Sequence, residues 1–320
     1  MAREATMTTP MTMLERVKAY LSERRQAGFA LQIEGEQLTR FAYFADGRAH
    51  QGPLTVKLAV QWATSSRGQN RLTAARRIEV VRPFARYCQQ FESATEIPPG
   101  ELFGPGHRRL QPHIYSSAEI RALLAACAHL HPPGGLRGVT CATIFGLIAA
   151  TGLRISEATG LQRADVDLEQ GLLHIRRAKY GKTRWVPVHP TTIRALQVYV
   201  KKRDSDPFSK HTDAFFVFDG CRTASTSSLQ YAFKLLRRQL GWHSRGGHPY
   251  PRIHDIRHSF ICHRLEDWYA QGLDIDRHIL SLSTYVGHAH ITDTYWYVTA
   301  TPELLAIAAR RFTRHPGGES

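Results

Sequence analysis

The 320-residue sequence predicts a mainly α-helical protein with one small β region, organised as two domains. Three observations carry this expectation. Apolar positions recur at helical spacing through most of the chain. Strand-like runs rich in branched or aromatic residues are confined to LLHIRR and RWVPVHP. A Pro- and Gly-rich stretch, IPPGELFGPGHRRLQPH, interrupts the helical pattern and reads as a linker. The chain length suits two domains better than one. The expected division is a helical domain over 1–96, a basic linker over 97–114, and a larger domain over 115–320 that mixes helices with the β region.

From Met11 to Phe91 the pattern predicts four or five short helices, broken near Gly28, between Gly47 and Pro53, and between Ser65 and Gly68. TVKLAVQWA and LTAARRIEVVRPFARYCQQF are the clearest of these. Arg76, Arg77, Arg82 and Arg86 share the second of them. They form either a solvated charged face or a face that tracks phosphates. The linker adds Arg108 and Arg109. The second domain opens with a capping box, Ser116 to Glu119, ahead of IRALLAACAHL. An apolar helix then ends in a turn at Gly152. LLHIRR and RWVPVHP pair as a β-hairpin whose turn, AKYGKT, carries Lys179 and Lys182. Helices follow at about Thr191 to Lys202, Ser227 to Leu240, Ile253 to Gln271, Asp276 to Val286 and Asp293 to Val298. A last helix begins at Thr301-Pro302-Glu303, a good cap with Pro in the first turn, and runs to about Phe312.

The formal charge of +15 and pI near 9.9 imply a polyanionic partner, nucleic acid first. An anionic membrane is the competitor, but no strongly basic amphipathic helix stands out to serve it. The stretch from Cys141 to Leu153 is too short to cross a bilayer, and the first residues lack the apolar core of a signal peptide. Five scattered cysteines without CxxC spacing point to reduced thiols. A cytoplasmic protein with no membrane partner is the expectation. No cofactor is expected. The histidines, His288 and His290 included, lack companion ligands at metal spacing. Asp165 and Asp167 read as turn-capping residues, and no phosphate-cradling loop ends in GK[ST].

Five short segments carry side chains suited to phosphodiester chemistry. They are Arg154 in TGLRISE, Lys179 in AKYGKTR, His254 and Arg257 in HDIRH, His288 in VGHAH, and Tyr297 in DTYWYV. Splitting a phosphodiester needs cations for the non-bridging oxygens, acid/base groups and a nucleophile. His254 and Arg257 stand three apart on a helix, so both project from one face. Arg154 has an alternative use as a salt-bridge partner of Glu157. Lys182 rivals Lys179, while Tyr285 and Tyr295 are the tyrosines nearest to Tyr297.

In order and spacing these segments resemble the tyrosine recombinase (phage integrase) family, over roughly residues 115 to 315 and less specifically over the helical N-terminal part. The resemblance implies a core-binding domain followed by a catalytic domain, closing as a C-shaped clamp on duplex DNA. It implies that Arg154 and Arg257 grip the scissile phosphate and that His254 acts as an acid/base group. It further implies that Lys179 protonates the leaving 5′ oxygen and that Tyr297, nine residues after His288, attacks phosphorus. The hairpin turn is slightly long for the family, so Lys179 and Lys182 both stay open. Also implied are a 3′-phosphotyrosyl intermediate, a Holliday junction, and a homo-tetramer on two DNA sites, alone or with sister recombinases, using neither metal nor nucleotide. DNA contacts fall to Arg76, Arg77, Arg108, Arg109 and Lys182. LSLSTYVGH with DTYWYVTATPELL is similar to recombinases of bacterial transposons and integrated elements. The competing functions are a type IB topoisomerase, a catalytically silent DNA-binding protein of the same fold, and a metal-dependent nuclease.

Overall fold

The computed structural model describes residues 11–65, 70–106, 109–176, 183–206 and 212–300. The chain divides into two compact units, Met1–Arg109 and Leu110–Ser320.

In the first unit, described residues form α1 (Met13–Gln26), α2 (Gln32–Asp46), α3 (Val56–Thr64) and α4 (Arg71–Gln89). Thr12 opens α1 with a capping box, and Thr55 and Asn70 accept backbone N–H groups at the starts of α3 and α4. The apolar stripes meet in a core around Val17, Leu38, Phe41, Trp62, Ile78 and Phe84. Phe41 meets Trp62 edge-on, with ring centroids 5.3 Å apart. With 19 residues, α4 covers most of the expected stretch LTAARRIEVVRPFARYCQQF and runs through Pro83.

The Pro/Gly stretch does not stand apart as a linker. Ile97 and Phe103 pack on the core of the first unit, Arg71 donates to Phe103 O, and Glu79 accepts from Gly106 N. From Gln111 onward the chain joins the second unit, where Gly247 N donates to Gln111 O and His113 is fully buried. Proline and glycine removed the helix but left side chains and carbonyls able to dock on either unit.

The second unit contains α5 (Ser117–Ala126), α6 (Leu136–Thr151), α7 (Ile155–Thr159), β1 (Val166–Asp167), β2 (Leu172–Ile175), β3 (Arg184–Pro187) and α8 (Pro190–Asp204). There follow β4 (Val217–Phe218), β5 (Arg222–Thr223), α9 (Thr226–Gln239), α10 (Ile253–Ala270), α11 (Ile275–Val286) and α12 (Thr292–Ala300). β1, β2 and β3 form an antiparallel sheet in that order, with Leu173 opposite both Val166 and Val186. Alternation along β2 and β3 turns Leu173, Ile175 and Val186 inward, whereas Trp185 stays exposed and stacks on His174. The expected hairpin is present as β2 and β3. β1 and the β4–β5 pair, each strand only two residues long, were not expected.

α6 is apolar nearly all round because it runs through the centre of this unit, packed by α5, α8 and α10. The start of α10 is fixed from several sides. Buried Asp255 accepts Arg252 N at 2.8 Å, Tyr115 N donates to Ser259 Oγ at 2.7 Å, and Tyr115 Oη donates to Arg252 O. Cys88, Cys127, Cys141 and Cys262 are buried, and burial pushes Cys88 up to about 11 and Cys141 up to about 12. Among the described residues, no helix is long and apolar enough to cross a membrane.

Candidate active site

Two helix ends frame the site. α6 and α11 each stop at a glycine in the left-handed region, Gly152 at φ 66° and Gly287 at φ 71°. Each glycine turns the chain toward a candidate residue, Arg154 beyond Leu153 after the first and His288 immediately after the second. Each also offers its carbonyl to an arginine. Arg257 Nη1 donates to Gly152 O, and Arg154 Nη2 donates to Gly287 O, both at 2.7 Å. A Cβ at either glycine would collide, with Phe260 at 2.5 Å or with Arg184 at 2.6 Å.

Arg154 precedes the first residue of α7 and reaches Glu157 Oε1 with Nη1 at 2.8 Å, the salt bridge that its sequence position allowed. Glu157 is more than a partner for one arginine. It also accepts both terminal nitrogens of Arg184, whose remaining donors reach Tyr285 O and Val286 O. Burial raises the Glu157 pKa, but hydrogen bonds and charge from Arg184, with further help from Arg154, outweigh it and hold the group below its ordinary value. Neither the second role of Glu157 nor Arg184 was expected from sequence.

α10 contributes His254, Arg257 and His258. Ile253 and Ile256 anchor its neighbouring face, as the helical spacing predicted. Arg257 is 2% exposed, and its Nη2 is buried with no hydrogen-bond partner among the described residues. Burial, then the charge of Arg154, lowers its pKa to about 10, so it stays a cation at neutral pH. A buried guanidinium nitrogen left over after structural bonding is a donor poised for an anion. His254 is lowered to about 4 by burial and by Arg257 and Arg252. The His254 side chain is exposed to solvent.

α12 brings Tyr297 inward at 4% exposure. Its hydroxyl shares a 2.6 Å hydrogen bond with Nδ1 of His258, and its ring lies parallel to that of His288, with centroids 6.1 Å apart. His288 in turn shares a 2.7 Å hydrogen bond between Nδ1 and Thr294 Oγ1, one turn before Tyr297 on α12. The tyrosines near Tyr297 are engaged elsewhere: Tyr295 Oη donates to Asp276 and Tyr285 Oη to Pro187 O. His258 is the residue that sequence reasoning passed over. It stands four after His254, and that i, i+4 spacing already put it on the same helix face.

The remaining expected residues fall elsewhere. Lys179, Lys182 and Arg108 lie outside the described residues, as does the helix expected from Thr301. Arg76 Nε donates to Gly106 O. Arg77 donates to Trp62 O, and its guanidinium lies over the Trp62 ring. Both therefore serve the first unit's own packing, and Arg109 lies on its surface. Asp165 accepts from Gln162 N and pairs with Arg176, in keeping with a turn role.

Residues 115–303 match the model of the phage integrase family. The chain belongs to that family. Its catalytic activity is that of a tyrosine-type site-specific recombinase. The Sinorhizobium fredii protein y4rB, named an integrase/recombinase, is 35% identical over 308 residues, covering 95% of this chain and 98% of that one. The tyrosine recombinase XerC of Chlamydia trachomatis is 30% identical over 232 residues, 72% of this chain and 68% of that one. The solved Tn1549 transposon integrase, in complex with transposon right end DNA, has the same fold. It superposes with a TM-score of 0.67 at 16% identity, over 95% of this chain and all of that one.

Proposed function

We propose that the protein cuts and rejoins double-stranded DNA at specific sites through a 3′-phosphotyrosyl intermediate. The observation that carries this reading is the convergence on one buried phenol. The Tyr297 hydroxyl touches an imidazole, its ring faces His288, and its own charge would bear on the Arg257 guanidinium. In the proposed reaction Arg154 and Arg257 neutralise the non-bridging oxygens of the scissile phosphate, using donors beyond those that hold them in place. Tyr297 Oη gives its proton to a neighbouring imidazole and bonds to phosphorus, the bond from phosphorus to the 5′ oxygen breaks, and Lys179 or Lys182 protonates that oxygen. His254 and His288 supply acid/base and hydrogen-bonding capacity around the phosphate. The phosphotyrosine keeps the bond energy for rejoining, so neither a nucleotide nor a metal enters the scheme.

The first unit, Met1–Arg109, is proposed to hold the flanking DNA as a core-binding domain, with Arg109 and the basic balance of the chain supplying phosphate contacts. A homo-tetramer on two sites, with or without sister recombinases, and exchange through a Holliday junction complete the proposal. A mobile-element substrate is favoured because the Tn1549 transposon integrase is among the similar folds.

Covalent trapping tests this directly. Nicked suicide duplexes from DNA flanking the gene are incubated in EDTA with wild type and with Tyr297→Phe. A denaturation-resistant adduct formed by wild type alone is expected. Equal adduct from Tyr297→Phe, or an adduct lost in EDTA, would sink the mechanism.

A further inference from the structure

We propose that His258 is a positioning residue of the reaction, whose Nδ1 accepts the Tyr297 hydroxyl hydrogen bond and seats that oxygen for attack on phosphorus. This rests on the recombinase reading above and adds a residue to it. The 2.6 Å contact is the observation that carries the proposal.

Three features make this contact more than incidental. First, the two partners sit on different helices that pack on each other. His258 is in the second turn of α10, next to buried Arg257 and Ser259, and Tyr297 is on α12. A hydrogen bond from one helix to the other defines where the oxygen lies. Second, His258 is enclosed by aromatic rings. His254 meets it edge-on at 4.6 Å, Trp296 lies at 6.3 Å and the Tyr297 ring at 5.4 Å, so its imidazole has little freedom to turn away. Third, the same surroundings keep the ring neutral: burial, His254, Arg252 and Arg257 press its pKa far below the ordinary imidazole range. A neutral imidazole with its proton on Nε2 offers Nδ1 as an acceptor. An imidazolium would instead donate to Oη and occupy the lone pair that must reach phosphorus.

Without this bond, a buried phenol turns about its Cβ–Cγ axis with no effect on its oxygen's position, but the O–H vector is unset and small shifts of α12 go uncorrected. A misplacement on the order of 1 Å costs about 100-fold in rate. His258→Leu is therefore expected to form the covalent adduct about 100-fold more slowly on a nicked suicide substrate at saturating protein, with DNA affinity unchanged. His258→Asn carries an amide oxygen near the place of Nδ1 and is expected to recover at least tenfold of that loss.

The comparison is run in parallel on a substrate whose bridging 5′ oxygen is replaced by sulfur, which leaves without protonation. A nucleophile-side defect is not relieved by that change. Slow Leu, recovered Asn and no relief by sulfur support the assignment. A Leu variant as fast as wild type, an Asn variant as slow as Leu, relief by sulfur, or loss of DNA affinity would each overturn it. Wild type that makes no adduct would instead defeat the recombinase chemistry itself, and the two failures are distinguishable on the same gel.

Discussion

The carboxylate of Glu157 accepts both terminal nitrogens of Arg184, at 3.0 and 2.9 Å, while the same group holds Arg154. One buried acid thus links α7 to β3. Through the bonds of Arg184 to Tyr285 O and Val286 O, it also links both to the turn that presents His288. Its side chain is 3% exposed and that of Arg184 11%. Removing the acid strands a buried cation, and breaking such a pair costs about 3–5 kcal/mol. Glu157→Ala is expected to lose stability in that range by denaturant unfolding. Glu157→Gln, which keeps the shape and one acceptor, is expected to lose less. Equal stability of wild type and Glu157→Ala would show that the pair is not a structural hub.

The Gly287 turn allows a controlled test of close packing beside the site. Alanine there must hold φ at +71° and place its Cβ 2.6 Å from Arg184 Nη1. Gly134 has nearly the same φ, +72°, with nothing within 4 Å of a built Cβ. Left-handed strain costs a non-glycine residue about 1–3 kcal/mol. Both alanine variants should show that cost in thermal melts. Gly287→Ala alone should also slow adduct formation, because Arg184 must move and carries Glu157 with it. Matching losses of stability and unchanged cleavage in both variants would refute the steric argument.

Much of this arrangement was legible in the sequence for reasons that remain visible in the fold. Arg154, Arg257, His288 and Tyr297 each sit just beyond a helix-ending glycine or on a helix face, and short motifs specify such places. The helices from α8 to α12 lie close to their expected positions because their stripes are long enough to show periodicity. β1, β4 and β5 are two residues each, too short for alternation to register. Glu157 and Arg184 are 27 residues apart and find each other only once β3 packs beside α7. His258 was open to the spacing argument, since an i, i+4 relation to His254 puts both on one face. Its partner, 39 residues later, was not.

His288 depends on a buried hydroxyl. Thr294 is 0% exposed, and its Oγ1 meets Nδ1 of His288 at 2.7 Å, which fixes the orientation of the ring. Thr294→Val keeps the volume and the branching but removes the bond. A net loss of about 1 kcal/mol of stability is expected from the missing hydrogen bond. Because the ring can then turn, adduct formation should fall by more than stability alone accounts for, with DNA affinity retained. A variant that melts lower yet cleaves at the wild-type rate would show that His288 is oriented by its other surroundings.

Acid sensitivity separates the histidines from the buried acid. His258 and His254 are held at about 2 and about 4, against an ordinary value of 6.5. Their folded pKa values are depressed, so below pH 6.5 the unfolded chain binds protons that the folded chain refuses. Their contribution to stability is therefore complete above pH 6.5 and declines as the pH falls from there toward 4 and below. Glu157 behaves differently. Its folded pKa lies below 4.5, so its contribution is intact above pH 4.5 and is lost as the pH falls further. Melting temperatures measured between about pH 7 and pH 5 should fall for wild type and fall less steeply for His258→Asn. Some slope remains in the variant, since His254 and His113 are also depressed. Glu157→Gln should start lower but run parallel to wild type over the same range. Parallel curves for wild type and His258→Asn would mean that His258 is not held neutral by the fold.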